Sequence, residues 1–215
     1  MRHNHKALLS QSVGRKKIMA LMLTGLLLSP VAAMAADNYV SINSGGTDRD
    51  NYNNDGATAT NAAAIGIAAS ASGYAATALG SEATASALSA TAIGAGAQAT
   101  GDVSVALGSQ ATASGAGDTA LGRQTSASGG QSTAVGTGAS ATAQDATAVG
   151  SGASASGQGS ASLGLQASAS AGQSVAIGRG ASATEDSSVA LGSYSTTSAA
   201  VGTSSATVNG ITYSG

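Results

Sequence analysis

From residue 57 onward the chain repeats one pattern of hydrophobic and polar positions. A large aliphatic residue is followed at once by glycine at Ile65-Gly66, Leu79-Gly80, Ile93-Gly94, Leu107-Gly108 and Leu121-Gly122. The same pair returns at Val135-Gly136, Val149-Gly150, Leu163-Gly164, Ile177-Gly178 and Leu191-Gly192, every 14 residues, with no insertion or deletion. A period of this length held in register is the mark of an architecture in which each unit stacks on the one before.

Within a unit the aliphatic residue closes a short alternating run, as in Thr91-Ala92-Ile93 and Val105-Ala106-Leu107, which predicts a strand. A second alternating run begins three residues after the glycine, as in Ala111-Thr112-Ala113-Ser114 and Ala153-Ser154-Ala155-Ser156, and is often closed by a glycine such as Gly115 or Gly157. Two strands and two turns per unit predict an all-β fold, a parallel β-roll of about ten coils, stacked roughly 4.8 Å apart and rising roughly 48 Å. Helix is disfavoured by the recurrent glycines and β-branched residues. A disordered linker has no use for an unbroken period. The glycines read as structural, placed where a turn needs positive φ or a close backbone approach.

Composition changes the picture of the interior. Hydrophobic residues make up 42% of the 215, but there is no Phe or Trp and most of the apolar fraction is alanine, so any core is thin. One large aliphatic per unit stabilises far less than ordering 14 residues costs. Association of several chains is therefore expected, with alanine columns letting neighbouring solenoids approach and the aliphatic column facing an inner seam. Period-two alternation gives two faces without saying which lies inside the coil.

Charge divides the chain. Arg2, Lys6, Arg15, Lys16 and Lys17 precede residue 18, whereas all ten acids follow residue 36, where only Arg49, Arg123 and Arg179 oppose them, a formal charge of −7. That excess argues against a nucleic-acid partner. Lys16 and Lys17 lead into an apolar run from Ile18 to Leu28, then Pro30 and Ala33-Met34-Ala35, the layout of a secretory signal over residues 1–35 with cleavage after Ala35. The run is short for a bilayer span, and no later segment reads as a transmembrane helix. Residues 36–56, with Asp37, Asp48, Arg49, Asp50 and Asp55 among Asn and Gly, lack the period and read as an N-terminal cap. Their spacing does not match a cation-binding loop. After Gly192 the period breaks. In residues 199–215 Val201-Gly202 arrives early, and Ala206-Thr207-Val208 faces Ile211-Thr212-Tyr213 across Asn209-Gly210, which reads as a C-terminal cap or hairpin.

Catalysis finds no foothold. There is no cysteine, and His3 and His5 lie in the signal segment, so the exported chain carries neither thiol nor imidazole. Left-handed β-helix acyltransferases have hexapeptide periodicity and a catalytic histidine, and calcium-binding rolls have a nine-residue period; neither fits. No enzyme activity, cofactor or metal is expected. A hydroxyl ladder runs through Thr112 and Ser114, Ser126 and Ser128, Ser140 and Thr142, Ser154 and Ser156, Ser168 and Ser170, and Ser182 and Thr184. An array of this kind gives a second reading, an ice-binding or structural biofilm solenoid.

The units Gln173-Ser174-Val175-Ala176-Ile177-Gly178 and Asp102-Val103-Ser104-Val105-Ala106-Leu107-Gly108 resemble YadA-type head repeats, and the resemblance spans about residues 57–198. It implies a left-handed parallel β-roll, three chains side by side as a homotrimer, and export to the surface of a Gram-negative-type bacterium or beyond it. It also implies passive, multivalent attachment to collagen, other extracellular-matrix proteins or host cells. Gln173, Ser174, Val175, Ala176, Ile177 and Gly178 form the candidate partner-binding motif, with Gln173 where the family's collagen-binding motif usually has Asn. The family continues into a neck, a coiled-coil stalk and a membrane β-barrel. None is recognisable in residues 199–215, which leaves a truncated adhesin, a secreted head and a separately anchored subunit as alternatives.

Overall fold

The computed structural model describes residues 55–200 and 205–214. The signal segment, its cleavage point after Ala35 and nearly all of the 36–56 cap lie outside the described residues.

Each 14-residue unit makes one flattened coil. Ten three-residue strands, Ala63–Ile65 through Val189–Leu191, form one parallel sheet in chain order, and nine two-residue strands, Ser70–Ala71 through Ser182–Ala183, form a second. The register shift equals the sequence period, so like pairs with like: Ile65 with Leu79, Leu79 with Ile93, Ser126 with Ser140. Isolated bridges, Ala57 to Ala71 and Ser182 to Thr196, extend the second sheet at either end. The fold is thus a parallel β-solenoid of nine complete turns, with no helix among the described residues. At about 4.8 Å per coil the nine steps span about 43 Å.

The interior is built from alanine. Alternation turns the middle residue of each three-residue strand inward, and this column (Ala64, Ala78, Ala92, Ala106, Ala120, Ala134, Ala148, Ala176, Ala190) is almost wholly inaccessible. Opposite it stand Ala71, Ala85, Ala99, Ala113, Ala127, Ala141, Ala155, Ala169 and Ala183 from the second sheet. Two further columns, typified by Ala69 and Ala76, close the edges. The alanine columns therefore fill the coil and do not line a surface between solenoids, contrary to the expectation from sequence. The residue that ends each three-residue strand points the other way, and Leu79, Leu107 and Leu121 remain about 40% exposed (40%, 39% and 41%). A methyl group is the side chain that fits between sheets joined by such short turns, so the large aliphatics are excluded from the interior by space.

Each coil turns twice through left-handed backbone. The glycine after every aliphatic residue has φ between +117° and +138°, a region that side chains rarely adopt. A second kind of position, at φ near +55°, occurs on both edges and tolerates side chains, and the chain often uses glutamine there: Gln110, Gln124 and Gln166 two residues after the column glycine, and Gln131 and Gln173 on the opposite edge. Gln124 Nε2 donates to Gln110 Oε1 of the coil before it at 3.2 Å, linking two coils along the first of these edges.

A few inward positions are polar. Ser162 replaces alanine between Ala148 and Ala176 in the strand column, fully buried, and its Oγ has no hydrogen-bond partner. Every neighbour in that column is alanine, so Ser162→Ala removes an unsatisfied buried hydroxyl without opening a cavity. It is expected to raise stability by about 1 kcal/mol, read as a higher thermal unfolding midpoint.

Separately, Ser205–Val208 and Ile211–Ser214 pair antiparallel across Asn209 (φ +49°) and Gly210 (φ +79°). Two successive positive φ angles are those of a type I′ turn, for which Asn-Gly is the favoured pair.

Candidate binding surfaces

With the interior closed, whatever the molecule binds it meets with its outer faces and edges. The outer face of the ten-stranded sheet carries two columns. One is the aliphatic series from Ile65 to Leu191, half-buried by its neighbours above and below. The other is its strand partner two residues earlier, Thr77, Thr91, Val105, Thr119, Thr133, Thr147, Val175 and Val189. An apolar stripe therefore runs the length of the solenoid. Stripes of this extent on a small domain mark interaction surfaces.

The opposite face is hydroxylic. Ser126, Ser140, Ser154 and Ser168 precede the inward alanine of the second strand, and Ser128, Thr142, Ser156 and Ser170 follow it, so both members of each pair lie on the outer face. The two sheets thus give the solenoid an amphipathic cross-section, one side carrying the aliphatic column beside a column of threonine and valine and the other mainly Ser/Thr. Serine predominates in the ladder and lacks the methyl that stiffens threonine, which suits a solvated surface better than a template for ordered water.

The candidate motif divides between interior and surface. Ser174 and Ala176 are buried, the Ser174 hydroxyl donating to the Ala171 carbonyl at 2.7 Å, and Gly178 occupies the strained turn at φ +130°. Only Gln173, Val175 and Ile177 are presented outward, the last 37% exposed. Three of the six residues therefore maintain the coil, and a partner would meet the other three. The same division applies along the chain to the aliphatic-glycine pairs: Ile65, Leu79, Ile93, Leu107, Leu121, Val135, Val149, Leu163, Ile177 and Leu191 face outward, while the following glycines shape the edge.

The edges carry the charge. Beyond the hydroxyl strands a shallow groove of about 380 Å³ runs along the turns, with Asp145 and Asp186 towards its ends and Gln158 and Gln173 between them. Among the described residues no group of three or more His, Cys, Asp or Glu side chains could hold a metal ion. Among the same residues no helix is long and apolar enough to cross a membrane.

A comparison with family models finds the YadA head domain repeat (2 copies), matched at residues 57–83 and then in overlapping windows from 85–111 to 169–195. The chain belongs to the YadA head repeat family. The match spans the solenoid, and from residue 85 onward its windows advance by the 14-residue coil. A comparison with the curated proteins finds no match. YadA head repeats are those of trimeric-autotransporter-type bacterial surface adhesins, a family of binding proteins, not enzymes.

One feature of the head escapes a reading by motif. Asp118 falls in an inward column otherwise made of alanine and serine (Ala90, Ser104, Ser132, Ala146) and is fully buried. Its carboxyl accepts from Gly115 N at 2.6 Å, Gly130 N at 3.0 Å, Ser132 N at 2.8 Å and Ser132 Oγ at 2.8 Å, tying one coil to the next. Thr125, in the alanine column opposite, is also buried and donates to the Gly136 carbonyl at 2.8 Å. Writing the sequence in rows of 14 exposes both as breaks in an alanine column, and that alignment is the signal that finds them.

Proposed function

We propose that this head is the adhesive part of an exported surface protein. It works as a homotrimer whose three solenoids pack side by side through their aliphatic faces and present their hydroxyl faces outward to host extracellular matrix, collagen among the candidates, or to host cells. The observation that carries the reading is the apolar stripe: a single chain leaves its largest side chains half-exposed along the whole solenoid, and burial between copies is the economical use for them. Attachment is passive. Weak contacts repeat on three equivalent surfaces and along each surface, so avidity supplies the strength that single contacts lack. Export through the N-terminal signal and cleavage after Ala35 belong to the same reading.

The test is binding of the purified assembly to immobilised collagen, other matrix proteins and cultured host cells. The expected result is saturable retention on at least one of them, roughly 100-fold tighter for the assembly than for chains held apart by Leu107→Asp and Leu121→Asp together. No retention on any surface contradicts the adhesive reading.

A further inference from the structure

The period sorts the charged residues by edge. Arg123 and Arg179 both stand two residues after a column aliphatic, Leu121 and Ile177, and so lie on the edge that follows the aliphatic strand, where the carboxylates among the described residues are Asp55 and Glu82, both in the first coils. Asp102, Asp145, Glu185 and Asp186 lie on the other edge, after the hydroxyl strand, with no basic residue beside them. Both arginines are exposed, as are Asp102, Asp145 and Asp186, and Glu185 is half-buried. Within one chain these groups cannot meet, because the two edges are the opposite ends of a flattened coil. Arg179 rests over the Tyr194 ring, 5.5 Å from its centroid, and Asp186 accepts from Gly172 N at 2.8 Å; among the described residues neither charge meets an opposite one.

We infer that these edges are complementary docking surfaces for a second copy of this chain, the arginine edge of one solenoid seating on the acidic edge of the next. The heights agree. Arg179 and the Glu185-Asp186 pair belong to the same coil, so copies standing side by side without vertical offset bring them level. Arg123 lies one coil, about 4.8 Å, from the level of Asp145. A contact between unlike edges is heterologous: it leaves one free edge on each outer copy of a pair and is satisfied throughout only when the copies close into a ring. The aliphatic faces then point to the axis, and the charged edges set the direction of the ring and its vertical register, the role complementary charges play best at an interface. The inference rests on the side-by-side packing proposed above and adds the residues that fix its geometry.

The test uses the full exported protein in two populations carrying different affinity tags, mixed to follow subunit exchange, with circular dichroism to show that each variant keeps its β structure. Arg179→Glu places like charges at every edge contact and is expected to speed exchange roughly tenfold or more at low salt. Adding Asp186→Arg and Glu185→Arg restores opposite charges with the sign reversed, and exchange is expected to return to within about threefold of the parent. Arg179→Glu with unchanged exchange in an intact assembly overturns the edge contact and leaves side-by-side packing standing. A parent protein that sediments as a single chain at every concentration overturns both.

Discussion

Gly108→Ala is expected to cost about 3 kcal/mol or more, from strain at a glycine-only φ together with overpacking. Gly108 has φ +138°, and a Cβ built on it would lie 2.3 Å from the Gly122 carbonyl oxygen and 2.6 Å from its carbon. Those are backbone atoms of the next coil, fixed by the Gly122 N to Leu107 O hydrogen bond at 2.8 Å, so the methyl has no flexible neighbour to displace. The coils would have to separate locally, which breaks the ladder on both sheets. Gly96→Ala provides the control: Gly96 sits at φ +66°, and the nearest atom to its added Cβ is Gln110 Cγ at 3.6 Å, an ordinary contact. Its cost is that of one residue in left-handed backbone, about 1 kcal/mol. Urea unfolding followed by circular dichroism separates the two. Equal losses at both positions would show that glycine entropy, not coil stacking, governs the edge.

A second large effect is expected at Asp118. Among the described residues its carboxyl is the partner of three backbone amides, Gly115, Gly130 and Ser132, none of which donates to a carbonyl. Asp118→Ala suits the column sterically, since alanine occupies it at Ala90 and Ala146, but it strands those donors. At about 1 kcal/mol for each donor left unsatisfied, one buried and two part-buried, the loss is expected to reach about 3 kcal/mol. Asp118→Asn keeps an acceptor oxygen and is expected to recover about half of that loss. Hydrogen exchange at the Gly130 and Ser132 amides gives the local readout, with protection falling first there in the alanine variant. Unchanged protection would mean that the amides find other acceptors and that Asp118 is dispensable.

Much of the fold could be read from the residues because each structural requirement recurs at a fixed place. The glycine at φ near +130° can hardly be anything else, so its column reveals the period. The β-branched and aliphatic residues before it reveal the first strand. The direction of the aliphatic column was less accessible, because alternation is symmetric and both Ala106 and Leu107 are apolar. What decides it is the opposite sheet, whose only apolar column is alanine. A leucine facing Ala113 would need more room than the short turns allow, so the leucine column turns out. The candidate partner motif illustrates the remaining gap. Its resemblance extends over Gln173 to Gly178, yet Ser174, Ala176 and Gly178 serve the coil, and the pattern does not separate them from the residues a partner would touch. Asp118 was hidden for a related reason, since an acidic residue in a polar-rich repeat reads as surface until its column is aligned.

The measurement that tests the account most directly is the solution mass of the exported protein, by sedimentation equilibrium across a dilution series. Under the proposed side-by-side packing, three times the chain mass is expected over a wide range of concentration, the aliphatic stripe of each solenoid being covered by the other copies. A well-folded single chain at every concentration would contradict it, and would mean that the stripe remains exposed to solvent or meets something other than its own kind.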